Sequence, residues 1–123
     1  MKEIEAAGGE IHARSLDARK EEEIIAFLAD ADKHAPLEVC IFNVGANVNF
    51  PILETTERVF RKVWEMACYS GFLAGREAAR LMLALSQKCS AARWKLERMQ
   101  DPDSHAVHQD LAEQREFVEK YCP

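Results

Sequence analysis

A chain of 123 residues with 48% hydrophobic and 30% charged residues has the size of one domain and enough apolar content to bury a core. Its formal net charge of -5, with no basic stripe, speaks against a general affinity for nucleic-acid backbones. No apolar segment approaches the ~18 residues of a membrane span, and the opening "MKEIEAAGGE" lacks the charged-then-apolar layout of a secretory signal.

In chain order, "KEIEAA" followed by Gly8-Gly9 reads as the last turns of a helix and its glycine stop. So short a helix is expected to pack on something, because isolated helices below ~12 residues are marginal in water. Glu10 to Leu16 alternates weakly, as a half-buried strand does. Ile24, Ile25, Leu28 and Ala31 then form an apolar stripe at helical spacing between Arg19 and His34. Glu21, Glu22 and Glu23 in its first turn favour the helix dipole, and Pro36 ends it. Leu37 to Val44, "LEVCIFNV", is a continuous apolar run of strand length, expected to be buried on both faces as in parallel sheets. Strand, helix, strand makes one βαβ unit.

Thr55 or Thr56 is placed to cap a further helix. From there to Gln100 no proline intervenes, and a single helix would run ~65 Å at 1.5 Å per residue. A compact globule of this size predicts a break around Leu85–Cys89. Asp101, Pro102 and Asp103 supply cap, first helical position and acidic first turn for a last helix reaching about Lys120. The composition shifts near residue 86, where β-branched residues thin out. The fold expectation is α/β but helix-dominated, a partial Rossmann-like βαβα unit over 1–85 followed by a helical segment over 86–123.

The four cysteines, Cys40, Cys68, Cys89 and Cys122, contain no C-x-x-C pair, and their usage predicts a cytoplasmic chain with reduced thiols. His105 and His108, three apart on the last helix, have a metal-compatible spacing, but two histidines on a polar helix are more often solvated, and no metal site is expected. Tyr69-Ser70 beside Cys68 has no histidine placed to act as base, so no nucleophile is assigned there. Gly71 and Gly75 form a G-x-x-x-G spacing that would let another helix approach, within or between chains.

From Ser15 to Leu83 the order of these elements resembles the middle of a short-chain dehydrogenase/reductase. Leu16-Asp17 stands where that family has its adenine-contacting Asp, and Ile41-Phe42-Asn43-Val44-Gly45 where it has V-N-N-A-G beside the nicotinamide ribose. Thr55 to Leu83 stands where it has the helix that carries a catalytic Asn and often packs against a second subunit. The resemblance therefore implies NAD or NADP as cofactor, Leu16, Asp17, Asn43, Val44 and Gly45 as its contacts, and a homo-oligomer or partner chain joined through the 56–85 helix. The residues alone allow plainer roles: Asp17 as a helix cap, Gly45 as a left-handed turn, and Asn43 as a tie between neighbouring backbones.

The departures from the family matter equally. No G-x-x-x-G-x-G turn is present to hold a pyrophosphate on a helix N-terminus. No Tyr-x-x-x-Lys occurs, since Tyr69 is followed four residues later by Leu73, and Ala67 stands at the catalytic Asn position. No catalytic residue is therefore assigned, and the resemblance implies a truncated, frameshifted or split member that does not catalyse alone. The family's strand order, 3-2-1-4-5-6-7, makes the two strands expected here the third and fourth, which are not neighbours. They must pair directly, borrow a partner or give up ladder structure, and exposed sheet edges favour association. The alternative reading is a mainly helical interaction or structural protein that self-associates through the same helix.

Overall fold

The computed structural model describes residues 2–99 and 108–122. In chain order it contains α1 (Lys2–Ala6), α2 (Glu21–His34), α3 (Glu57–Trp64), a π turn (Glu65–Tyr69), α4 (Ser70–Met99) and α5 (His108–Tyr121). The start expected for the last helix at Asp101 to Asp103, and His105, lie outside the described residues.

Helix α1 ends where expected: Gly8 takes a left-handed φ of 81°, and Gly9 N–H donates to the Ile4 carbonyl at 2.9 Å. It does not pack as expected, because none of its residues is buried. Helix α2 starts two residues later than the apolar stripe suggested and turns Ile24 and Leu28 into the core. Beyond its end, the Asp32 carboxylate accepts the Leu37 N–H at 2.9 Å and holds the chain as it leaves past Pro36.

The two expected strands do not form, and no strand occurs among the described residues. A strand is stable only when a neighbour takes up its N–H and C=O groups. The order implied by the resemblance keeps these two segments from being neighbours, and neither finds another ladder partner among the described residues. Nor is the second segment buried on both faces: Leu37 and Cys40 pack against the core, while Val39 and Ile41 are 70% and 85% exposed. Helices cover one side of it only, whereas a doubly wound sheet has them on both. The partial βαβα unit is thus present as sequence order without its ladder.

The expected break at Leu85–Cys89 is also absent, since α4 runs through it unbroken. What interrupts the α pitch lies earlier, at the π turn, where Ser70 N–H bonds the Glu65 carbonyl. The length is accommodated because α5 folds back along α4 and covers Ala92, giving the far half of the long helix an apolar partner. Thr56 caps α3, its hydroxyl accepting the Val59 N–H at 3.3 Å. The core itself is small: Ile24 and Leu28 of α2 against Leu73, Ala74 and Ala78 of α4. An ion pair from Arg76 to Glu21 ties the same two helices at their rim.

Cys89 and Cys122 are joined in a disulfide, with Cα atoms 5.5 Å apart, so the expectation of four reduced thiols is corrected for this pair. Folding α5 against α4 brings them together across a separation of 33 residues, which no spacing rule anticipates. Cys40 and Cys68 are free thiols.

Candidate functional site

Between the 14–19 segment and the 40–44 segment lies a cleft of about 760 Å³. Its floor comes from Ile24 and Leu28 of α2, Met66 of the π turn, and Ser70 and Ala74 of α4. Leu16, Asp17, Asn43 and Val44 all line it; Gly45, next in sequence, is not on its wall. Four of the five cofactor-contact candidates are therefore brought together, from segments more than twenty residues apart.

Asp17 is the most constrained of them. Its Oδ1 accepts Arg19 Nε at 2.9 Å and the Arg19 backbone N–H at 3.1 Å, and its Oδ2 accepts Arg19 Nη2 at 2.7 Å. The fork geometry of the guanidinium, hydrogen-bonded to the carboxylate, holds Asp17 well below the usual carboxylate range. Asp17 N–H in turn donates to Glu23 Oε2 at 2.8 Å, and Lys20 Nζ to Glu23 Oε1 at 2.7 Å, so Glu23 is also held below its ordinary value, chiefly by Lys20. Asp17 is not the helix cap: the cap position of α2 is Lys20, with no side-chain bond. Its carboxylate instead closes a turn onto Arg19. Sequence reasoning missed Arg19 as its partner, although a cation two residues beyond an Asp at a helix entry was the available signal.

Gly45 does not adopt a left-handed conformation, since Gly8 is the only positive-φ residue among those described. Asn43 is exposed, and among the described residues its side chain ties no neighbouring backbone. The two glycines of the G-x-x-x-G spacing behave differently. A Cβ on Gly71 would lie 3.3 Å from Phe42 Cε1, so this glycine admits the ring of Phe42 from the 37–44 run; a Cβ on Gly75 would meet nothing within 4 Å. Gly71 thus seats the loop rather than a second helix.

Ala67, at the catalytic Asn position of the resembled family, lies in the π turn and offers only a methyl group. Tyr69 is stacked on Trp64, ring centroids 5.7 Å apart. Ser70 is fully buried and donates its hydroxyl to the Met66 carbonyl at 2.5 Å, which commits the proton that a nucleophile would have to lose. Arg14 and Lys62 also border the cleft and give it cationic edges. No group of three or more His, Cys, Asp or Glu side chains among the described residues could hold a metal, and no helix among them is long and apolar enough to cross a membrane.

The model of the short-chain dehydrogenase family matches residues 1–93, and the chain belongs to that family. The crystal structure of a short-chain dehydrogenase from Rhodopseudomonas palustris is similar, with 80% sequence identity over 68% of this chain and a TM-score of 0.65. The chain spans 39% of the length of that structure's chain. No curated protein matches it.

Proposed function

We propose that this chain is the cofactor-side middle portion of an NAD(P)-dependent short-chain oxidoreductase, cytoplasmic, and unable to transfer hydride on its own. The observation that carries this reading is the cleft in which Leu16, Asp17, Asn43 and Val44 converge. In this proposal Asp17 and Leu16 receive the adenine end, and Asn43 and Val44 the nicotinamide-ribose end, with Gly45 at the rim. Pyrophosphate binding contributes much of the grip on a dinucleotide where backbone amides at a helix N-terminus are aimed at it. With no glycine-rich turn in the sequence, NADH binding to this chain alone is expected to be on the order of 1 mM. A titration with NADH, read by energy transfer from Trp64 and Trp94, tests it. Asp17→Ala should weaken the saturable signal several-fold, and Arg19→Gln, which frees the carboxylate, should strengthen it. A linear, unsaturated response unaffected by either variant would contradict the reading.

A second reading, self-association as a helical interaction protein, is favoured by one specific feature. Phe60, Trp64 and Phe72 are 66%, 47% and 56% exposed, and they recur at multiples of four along α3 and α4. In this reading a second copy lies along residues 56–85. Light scattering after size exclusion should give a dimer or larger, and a Phe60→Glu/Phe72→Glu variant a monomer; a wild-type monomer would sink it.

A further inference from the structure

We infer that the Cys89–Cys122 disulfide is a redox-reactive site through which a soluble dithiol reductant releases α5 from α4. Three observations support it. First, among the described residues α5 packs on α4 and on no other helix, and Phe117, Val118 and Tyr121 are only half-buried. Over residues 112–122 the buried residue is Cys122 itself, 9% exposed. Second, the bond can be reached. A cleft of about 520 Å³, bordered by Leu37, Val39, Met82 and Arg93, opens onto both cysteines. Third, a cation borders the cysteine that would leave: Arg93 lines the same cleft and its Nη2 donates to the Cys122 backbone carbonyl at 2.9 Å, and a guanidinium near a cysteine favours thiolate over thiol.

The chemistry is an ordinary two-electron exchange. A thiolate of the dithiol attacks the half-buried Cys89 Sγ, forming a mixed disulfide and expelling Cys122 as a thiolate beside Arg93. The second thiol of the reductant then closes on the first, its own disulfide forms, and Cys89 leaves as a thiolate. Each protein sulfur has gained one electron and takes up a proton according to pH. Release of α5 uncovers Ala92 and the adjoining face of α4, and opens the side of the cleft that faces Leu37 and Val39. The family match ends at residue 93, so Cys122 and all of α5 lie outside the matched segment. The latch belongs to the part of the chain that the family does not explain.

The test uses the full chain, air-oxidised, with dithiothreitol as the dithiol. Thiol titration under denaturing conditions should find two thiols before reduction, from Cys40 and Cys68, and four after. Limited trypsin digestion followed by mass spectrometry should show cleavage at Arg115 and Lys120 accelerated by about tenfold or more on reduction, because the loop-closing tie is lost. Cys89→Ser should be cut at the fast rate with or without dithiothreitol, and Cys40→Ser/Cys68→Ser should keep the full redox response. Arg93→Gln should slow reduction by roughly three- to tenfold. Four thiols in the oxidised protein, or cleavage rates indifferent to dithiothreitol, would overturn the site. An unchanged reduction rate in Arg93→Gln would overturn the part assigned to that residue.

Discussion

At the scale of single residues, the proposed cofactor binding turns on the contest for Asp17. Arg19 uses both carboxylate oxygens, so a ligand at this end of the cleft, where the proposal puts the adenine, must share a group already hydrogen-bonded. The contact has a pH signature. Asp17 and Glu23 both bind protons more weakly in the folded chain than at their ordinary values of 3.8 and 4.5. Groups whose folded values are depressed lend stability that is fully present above those ordinary values and is lost as pH falls below them. Thermal stability should therefore be flat above about pH 5 and decline below it. In Arg19→Gln, carbon-detected titration should find Asp17 returned towards its ordinary value; an unmoved titration would contradict the pairing. The glycines offer a second residue-scale check. Gly75→Ala enters open space in a helix interior and should stabilise by roughly 0.5–1 kcal/mol. At Gly71 the same methyl would press on Phe42, so the propensity gain should be offset, and equal gains in melting temperature at both positions would argue against Phe42 being seated there.

Among the elements, what local chemistry dictates was legible and what depends on partners was not. The glycine stop at Gly8, the acidic first turn and proline end of α2, and the threonine cap at Thr56 all depend on interactions within one turn of the chain, and all are in place. Thr56→Ala should cost about 1 kcal/mol through the lost bond to Val59 N–H, measurable by thermal denaturation. The 37–44 run failed because β-branched, apolar composition records what a strand needs without supplying its neighbour. The helix break was misplaced for a related reason: it assumed a compact globule, whereas α5 supplies a partner along the far half of α4. The π turn had no sequence signal of its own. It falls at Ala67 and Cys68, and a single extra residue in the helical register rotates the rest of the helix by about 100°. The candidate site was legible to the extent that it depends on motif order: Leu16, Asp17, Asn43 and Val44 share a cleft, whereas the engagement of Asp17 by Arg19 and the place of Gly45 off the wall are matters of side-chain and backbone geometry.

Taken whole, the described residues are a family segment held by helix packing and one disulfide, without a sheet. Among the described residues two helices share a core of five buried side chains, and the segments expected as strands pack Leu16, Leu37 and Cys40 against it. The disulfide contributes more than its size suggests: closing a loop with a separation of 33 residues restricts the unfolded chain by an entropy worth ~3–4 kcal/mol in the loop-closure description. Against a typical domain stability of roughly 5–15 kcal/mol, that is a large fraction for so small a core. The central claim is that residues 11–16 and 37–44 keep the family's order without pairing as a sheet, and that 14–16 and 40–44 within them wall an open cleft. Amide hydrogen exchange of the full chain, resolved by residue, tests this most directly. Fast exchange is expected throughout 11–16 and 37–44, apart from Leu37, whose N–H is bound by Asp32, and slow exchange over Leu73–Leu85 in α4. Protected amides at alternate positions in 37–44 would mean that a ladder exists, and would contradict it.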